Sequence, residues 1–352
     1  MGPASIVQKT CLPLLVPSDQ SSHSYSRRRE RGMVRIEALT DRDLRPPDLS
    51  AWAAGNCGTP FVHRFDSARP GPHVVINALM HGNEFSGAIA AATLLSAGIR
   101  PTCGRLTFCF ANVAAFAQFD PLFPIMSRYV EEDMNRVWAP GSLADGPDSH
   151  ERRRARELWP LFASADLVLD LHSMQHDRVP LMLCGRSSRA RAVARHVGLP
   201  GIVVADAGHV GGSRLIDHPR FTEGEAGPVA LLAECGQHWD PASADTALAV
   251  TARFLLVSGI VAAAALDPWL PSAEPPQPRL VEVTETITVV TERFRFLKEY
   301  QGMDVIPAAG TAYALDGEVP LHTPYDDCVM IMPARRKADR GQTAVRLGRF
   351  AG

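Results

Sequence analysis

The apolar residues of this chain fall into two patterns that alternate along its length. Continuous apolar runs of strand length occupy His73–Leu79, Arg105–Ala111, Asp166–Leu171, Ile202–Ala205 and Pro228–Ala233. Stretches with apolar residues at helical spacing occupy Ser86–Ala97, Ser149–Phe162 and Asp240–Ala264. Apolar strands that alternate with helices are typical of an α/β fold whose sheet is covered on both faces. We therefore predict a mainly parallel mixed sheet covered by helices.

The pattern changes after residue 266. Residues 267–279 contain five prolines, which exclude a helix or a central strand, and the Val/Thr/Ile-rich run Val281–Val290 then indicates a strand. The predicted division is an α/β domain over 34–266, a Pro-rich linker over 267–279, a small β domain over 280–340 and a tail over 341–352. The basic terminus over 335–349 is expected to be solvated.

Two segments before residue 73 lack the pattern of a core. Residues 1–33 carry a short apolar patch followed by the basic run 27–31, the reverse of the order in a secretory signal. We predict a disordered N-terminal extension there, or residues that precede a true start at Met33. Residues 34–70 are rich in Pro, Gly and Ala and are predicted to cover the core rather than to form it.

The composition is that of a globular protein, with 46% hydrophobic and 21% charged residues. The net charge of −2 gives no electrostatic reason to expect a nucleic-acid partner, and no apolar run reaches the ~20 residues of a membrane span. The seven scattered cysteines form no CxxC pair, so neither a disulfide framework nor a thiolate zinc site is indicated. We expect a cytoplasmic setting, and homo-oligomerisation stays open.

Polar groups follow four of the predicted strands at their carboxyl ends. They are His81 and Glu84, then Asn112, then His172 and Ser173, and finally Glu234. In open α/β sheets ligands bind outside the carboxyl ends of the strands, so these side chains are expected to share one crevice.

Three of these groups form a plausible metal-ligand set. His81, Glu84 and His172 offer two imidazoles and one carboxylate, which is the donor set of a catalytic zinc ion with an open position for water. Asp170 lies two residues before His172, on the same face of the strand, and is expected to orient its imidazole. Taken alone, a histidine at a strand end is as often bonded to a carbonyl group.

Glu234 is the candidate general base. It follows the apolar run VALLA, and a carboxylate at a buried strand end is costly unless it is paired or used. Beside a metal-bound water it would accept a proton and pass it to a leaving amine. A salt bridge to a local arginine is the alternative, and Glu223 and Glu225 are weaker candidates for the base.

The segment 127–138, SRYVEEDMNRVW, is the candidate substrate clamp. Arg128 and Arg136 lie eight residues apart, and Asn135 precedes the second. Arginine can bind a carboxylate through two hydrogen bonds and can stabilise a developing oxyanion. As a run of charges alone, the segment would be solvated surface.

The motifs HGNE, RYVEEDMNR and DLH, with the late Glu234, resemble in order and spacing the succinylglutamate desuccinylase/aspartoacylase family, a branch of the zinc carboxypeptidase clan. The resemblance implies a zinc-carboxypeptidase-like domain with an appended β domain, and one Zn²⁺ per chain. It assigns the zinc to His81, Glu84 and His172, carbonyl polarisation to Arg128, carboxylate binding to Asn135 and Arg136, and catalysis to Glu234. The substrate-selecting residues of the family are not matched. Arg214 is a candidate second carboxylate binder, with a solvated arginine as the alternative.

The predicted function is therefore a zinc-dependent hydrolase that cleaves the amide bond of a small N-acyl amino acid or related carboxylate-bearing amide. Glu234 would activate the metal-bound water, and the zinc and Arg128 would hold the oxyanion. The partner is a small molecule with a carboxylate, not a nucleic acid or a membrane. The alternatives are a zinc carboxypeptidase that acts on peptides, a metal-free module that binds carboxylate ligands, and an interaction protein that uses its arginine runs.

Overall fold

The structure is a computed structural model that describes residues 39–40, 42–208, 211–224, 226–334 and 338–351. The predicted disordered extension, residues 1–33, lies outside the described residues. The described strands are β1 (Val62–Asp66), β2 (His73–Ala78), β3 (Arg105–Phe110), β4 (Leu167–Met174), β5 (Leu181–Leu183), β6 (Ile202–Ala205), β7 (Val229–Gln237), β8 (Arg279–Thr288), β9 (Phe294–Phe296), β10 (Asp304–Ile306), β11 (Ala312–Asp316), β12 (Val319–His322), β13 (Cys328–Ile331) and β14 (Thr343–Ala351). The described α-helices are α1 (Phe85–Ser96), α2 (Val113–Phe116), α3 (Pro140–Asp145), α4 (His150–Ala163), α5 (Ser188–Val197), α6 (Pro219–Thr222), α7 (Pro241–Ser258) and α8 (Ala263–Leu266).

Eleven of the described strands form one mixed sheet in the order β1-β3-β2-β4-β7-β5-β6-β8-β14-β13-β10. Its centre is parallel, because β3, β2, β4 and β7 run in one direction. The strands β5 and β1 pair antiparallel with β7 and β3. The predicted α/β fold is therefore confirmed, and the carboxyl ends of four neighbouring strands lie at one edge of the sheet.

Helices cover both faces of this sheet. All six residues of β2 are buried, and they alternate between the two faces: Val74 and Ile76 pack in one apolar cluster, whereas Val75 packs in the other. The helices α1, α5 and α7 contribute to the first cluster, and α4 contributes to the second. Burial on both faces explains why the central strands read as continuous apolar runs rather than as alternating patterns.

Two elements differ from the prediction: one helix is shorter than expected, and one strand was not predicted. The helix predicted over 240–264 ends at Ser258, because Gly259 takes the left-handed conformation at φ 71° and stops it. In the segment predicted only to cover the core, Val62–Asp66 forms β1, an edge strand too short to stand out from its Gly- and Pro-rich surroundings. Among the described helices, none has the length and apolarity needed to cross a bilayer.

The C-terminal region is rich in strands, as predicted, and β9, β11 and β12 form a separate small antiparallel sheet. The expectation that the basic terminus is solvated was wrong for residues 343–348. Residues Thr343–Ala351 form β14, which pairs with β8 and β13 and buries Ala344, Val345 and Leu347. The strand was obscured in the sequence because basic residues interrupt its apolar ones. The strands β8 and β14 continue the main sheet beyond the Pro-rich segment. The predicted domain boundaries therefore stay a prediction.

Candidate active site

The turn between β2 and α1 carries the first two candidate ligands. Leu79 leaves the strand at φ 59°, an uncommon conformation for a leucine, and Glu84 stands at the N-cap of α1. Between them, Gly82 packs so closely that a Cβ atom there would overlap the backbone of Ala115 and Phe116. The tight turn presents the side chains of His81 and Glu84 at the edge of the sheet.

The candidate ligands meet around one carboxylate. The Nδ1 atom of His81 lies 2.8 Å from Oε1 of Glu84, and the Nδ1 atom of His172 lies 3.0 Å from its Oε2. All three side chains are buried, and one ligand atom from each lies within 4.8 Å of the others. The three predicted ligands therefore form a group that could bind a metal ion.

Outer carboxylates orient both imidazoles. The Nε2 atom of His172 lies 3.0 Å from Asp170, the contact predicted from their positions in the strand, and Asn77 Nδ2 donates to Asp170 at 2.7 Å. The Nε2 atom of His81 lies 2.9 Å from Asp133, which the sequence reasoning missed although it lies in the quoted 127–138 segment. With Nε2 held by a carboxylate, each ring directs its Nδ1 toward the centre of the site.

The charges of the site are those of a cation-binding centre. Burial by itself would raise the pKa of Glu84, but His81 and His172 lower that pKa well below its usual range. Burial would likewise lower the pKa of His172, but Asp170 and Glu84 raise it well above its usual range. Ionised carboxylates surround the imidazoles, so the environment favours positive charge at this position.

Glu234 lies beside the candidate ligands on β7, which continues to Gln237 rather than ending at residue 233. It is the register partner of His172 on β4. Burial, opposed by His172 and reinforced by Glu84, raises the pKa of Glu234 to about 7. Its Oε2 atom is buried and has no hydrogen-bond partner among the described residues. A carboxyl group in this state can gain and lose a proton near neutral pH.

The two weaker candidates for the base are not supported. Glu223 is exposed, and Glu225 lies outside the described residues.

Arg128 and Asn135, two residues of the predicted substrate clamp, contact the candidate metal ligands. Arg128 donates to Glu84 at 3.2 Å and to Asp133 at 3.0 Å, and these two carboxylates raise its pKa against the opposing effect of burial. Asn135 is buried, accepts a hydrogen bond from the backbone N–H of Leu215 at 3.0 Å, and has its Nδ2 atom 3.4 Å from His172. These contacts fix the clamp against the imidazoles rather than leaving it as solvated surface.

A cavity of about 410 Å³ opens over this group. The predicted site residues that line it are His81, Glu84, Arg128, Asn135, Arg136, His172 and Glu234. Asn112 was also expected in the crevice, and that expectation was wrong. Its side chain instead caps α2, accepting from Ala115 N at 3.3 Å, and donates to Glu151 at 3.2 Å.

Arg214 also lines the cavity, and it is not solvated, so the alternative of a solvated arginine was wrong; its role as a carboxylate binder stays a prediction. Its guanidinium donates to Asp206 at 2.6 and 2.9 Å and to Asp217 at 2.7 and 2.8 Å. The side chain is 4% exposed, so this is a buried ion-pair network in the cavity wall.

Sequence reasoning missed Arg346, a cavity residue supplied by β14. Its apolar neighbours Val345 and Leu347 were the available signal for a strand, and the predicted tail hid it. The Nδ1 atom of His238 lies 2.8 Å from Ser173 Oγ. His238 and Ser173 both line the cavity beside the candidate ligands.

A family comparison matches the part of the chain that builds this site. The catalytic-domain model of the succinylglutamate desuccinylase/aspartoacylase family matches residues 70–256, more than half of the 352 residues. The match includes every predicted site residue from His81 to Glu234. No curated protein sequence matches the chain.

Solved structures resemble the fold over most of the chain. The succinylglutamate desuccinylase of Vibrio parahaemolyticus has a TM-score of 0.61 at 16% identity and covers 83% of this chain and 87% of its own. A succinylglutamate desuccinylase/aspartoacylase of Rhodobacter sphaeroides has a TM-score of 0.59 at 19% identity, with 83% and 89% coverage. The ectoine utilization protein EutE (DoeB) of Ruegeria pomeroyi, solved with bound product, has a TM-score of 0.55 at 17% identity, with 87% and 93% coverage.

Proposed function

Because the chain belongs to the succinylglutamate desuccinylase/aspartoacylase family of deacylase-type hydrolases, we propose that it is a zinc-dependent amidohydrolase. Its substrate is a small N-acyl amino acid or a related carboxylate-bearing amide. The observation that carries the proposal is the buried His81–Glu84–His172 group, which shares one cavity with the unpartnered carboxyl oxygen of Glu234.

The donor set fits zinc. Two imidazole nitrogens and one carboxylate form the protein-ligand set of catalytic zinc sites, and each imidazole has the outer carboxylate partner that such sites use. When bound there, the ion supplies Lewis-acid activation of a carbonyl and lowers the pKa of a neighbouring water. The open cavity on one side leaves room for substrate.

Glu234 performs the proton transfers. Its carboxylate takes one proton from the attacking water as the oxygen–carbon bond forms, and it returns that proton to the amide nitrogen as the carbon–nitrogen bond breaks. The products are a carboxylic acid and a free amine, so atoms and charge balance. A pKa of about 7 suits a group that must act first as a base and then as an acid.

The arginines orient the substrate. Arg128, held by Glu84 and Asp133, carries positive charge at the edge of the ligand group and stabilises the oxyanion that develops on the carbonyl oxygen. Asn135 and Arg136 bind a substrate carboxylate, and Arg136 is positioned by its hydrogen bond to the Asn135 carbonyl at 2.7 Å.

The described cysteines are all free thiols, which supports a reducing, cytoplasmic location.

A substrate panel with metal analysis tests the proposal. Purified protein is assayed for amine release from N-acyl amino acids and from short peptides, and its zinc content is measured by elemental analysis. We expect stoichiometric zinc and turnover of N-acyl amino acids. Preferential release of C-terminal residues from peptides would identify a carboxypeptidase instead. Carboxylate binding without metal or turnover would identify a binding module.

A further inference from the structure

Glu151 is a buried carboxylate that binds a turn of the backbone. It is the second residue of α4, and its exposed fraction is 0%. Its Oε1 atom accepts a hydrogen bond from the N–H of Val130 at 2.6 Å, and its Oε2 atom accepts from the N–H groups of Glu131 and Glu132 at 3.1 and 3.2 Å. Successive backbone N–H groups that point at one centre form an anion-binding concavity, and here the anion is a side chain of the same protein.

The turn and the helix hold each other in both directions. Glu131 accepts a hydrogen bond from the backbone N–H of His150, the first residue of α4. Glu132 accepts from Nε and Nη2 of Arg152 at 2.7 and 2.9 Å. Residues 130–132 belong to neither a strand nor a helix, so these contacts with α4 take the place of regular backbone pairing.

The same turn lies inside the segment that supplies the substrate clamp. Arg128 precedes it by two residues, and Asp133 follows it directly. Asp133 lies 2.9 Å from Nε2 of His81 and accepts a hydrogen bond from Arg128 at 3.0 Å. The side chains on either side of the turn therefore contact each other and a candidate metal ligand, while Glu151 holds the backbone between them.

Glu151 is also connected to the turn that carries the candidate ligands. Nδ2 of Asn112 donates to Oε1 of Glu151 at 3.2 Å, and the backbone N–H of Asn112 donates to the Leu79 carbonyl at 2.7 Å. One buried carboxylate thus accepts from four N–H donors on two segments that meet at the site. Loss of the carboxylate would leave buried donors unpaired, which favours rearrangement of the backbone that carries them.

We propose that Glu151 is a positioning residue, which holds Arg128 and Asp133 in the geometry that the reaction and the metal ion require. The inference rests on the proposed function. Glu151 does not line the cavity, so it acts through residues 130–132 and not on the substrate. A displacement of about 1 Å in a group that contacts the reacting atoms can lower turnover about 100-fold, so the position of this turn is sufficient to change catalysis.

Glu151→Gln tests the positioning role, because glutamine keeps the length of the side chain but replaces one acceptor oxygen with a donating amide. With zinc in excess, kcat on the best N-acyl amino acid should fall by about 10–100-fold. Hydrogen exchange at the amides of residues 130–132, followed by mass spectrometry, should become about 10-fold faster. Zinc affinity, measured by competition with a chelator, should fall by about 3–10-fold.

Asp316→Asn is the matched control. The carboxylate of Asp316 likewise accepts from two successive backbone N–H groups, those of Val290 at 2.7 Å and Thr291 at 2.9 Å, but it does not line the cavity. This variant should leave kcat, zinc affinity and exchange at 130–132 unchanged, even where its melting temperature falls. If it changes all three as Glu151→Gln does, the effect is a general loss of stability and the proposal is overturned.

A double-mutant cycle on kcat shows whether Glu151 acts through the arginine. In an Arg128→Met background, Glu151→Gln should lower kcat by less than about 3-fold, because the group that it positions is already absent. Equal fold losses of kcat in the two backgrounds would overturn the proposal. A melting temperature measured for each variant identifies one that fails to fold, and Glu151→Asp, which keeps the charge on a shorter side chain, then carries the same measurements.

Two of these measurements need no turnover, which keeps this inference distinguishable from the proposed function. If the wild-type protein hydrolyses no N-acyl amino acid, the proposed function fails. Faster exchange at 130–132 together with weaker zinc binding in Glu151→Gln then still supports the positioning role. Exchange or zinc affinity equal to that of the wild type overturns it.

Discussion

His172 and Glu234 are register partners on the adjacent parallel strands β4 and β7. Neighbouring strands are about 4.8 Å apart, so a candidate metal ligand and the candidate base are held side by side by backbone hydrogen bonds. The relative position of the two side chains is set by paired strands at the centre of the sheet, not by a loop. Substitutions at either residue therefore change chemistry more than architecture.

Glu234→Gln should reduce turnover by about 10²–10⁴-fold while zinc stays bound, because the amide cannot accept the proton of the attacking water. The measurements are kcat on the best N-acyl amino acid and zinc content by elemental analysis. Glu223→Gln is the control, since Glu223 is exposed. Turnover close to that of wild type would remove Glu234 from the mechanism.

His81→Ala and His172→Ala should each lose stoichiometric zinc, since each removes one of the three protein ligands. Elemental analysis after dialysis measures the loss. His196→Ala is the control, because its exposed imidazole lies on the outer side of α5 and contacts the Ala192 carbonyl at 2.8 Å. Full metal content in either ligand variant would show that the ion, if present, is bound elsewhere.

Asp133→Asn should weaken zinc binding by about 10–100-fold without abolishing it, because Asp133 orients His81 through Nε2 rather than contacting the ion. Competition with a chromogenic chelator measures the affinity. The same substitution at the exposed Asp148, which pairs with Arg153 and Arg156, is the control. An unchanged affinity in Asp133→Asn would mean that the ring is held by other contacts.

Arg214→Met should destabilise the fold by about 3–5 kcal/mol, since it leaves the buried Asp206 and the partly buried Asp217 without their shared partner. Urea unfolding followed by circular dichroism gives the free energy. Arg153→Met, which breaks an exposed ion pair, should cost less than about 1 kcal/mol. Similar losses in both variants would contradict the structural role given to Arg214.

Acidification should destabilise the protein partly through His73, whose pKa is lowered by burial from 6.5 to about 4. Between these values the unfolded chain binds a proton that the folded chain does not, so stability falls as the pH falls. The wild type should lose about 1–2 kcal/mol more than His73→Gln between pH 7 and pH 5. Urea unfolding at both values measures this, with His196→Gln as control. Equal losses in wild type and His73→Gln would exclude the contribution.

The sequence was most informative where the side chains bury apolar surface or end a strand. The runs at β2, β4 and β7 could be recognised because burial on both faces makes them continuously apolar. Their carboxyl ends then brought His81, His172 and Glu234 to one edge through topology alone. The contact of Asp170 with His172 followed from the two-residue repeat of a strand.

Long-range pairing was beyond the reach of local patterns. Arg346 belongs to a strand that is stabilised by β8 and β13, which lie elsewhere in the sequence. Basic residues interrupt the apolar residues of this strand, so its local pattern did not mark it as a strand. The expectation for Asn112 was wrong for the opposite reason. Its position after a strand suggested a ligand-binding residue, but its side chain caps the next helix locally. Gly259 ended α7 early through backbone conformation, which apolar spacing does not report.

The crowding at Gly82 has a consequence for how the gene can vary. Its Cα faces the backbone of Ala115, Phe116 and Ser127, so even a methyl group has no space. Its N–H also donates to the carbonyl of Arg128 at 3.1 Å. A missense change at this codon would push the arginine-bearing segment away from the ligand turn, without touching a reactive atom. In a saturation library selected for activity, this position should accept glycine alone.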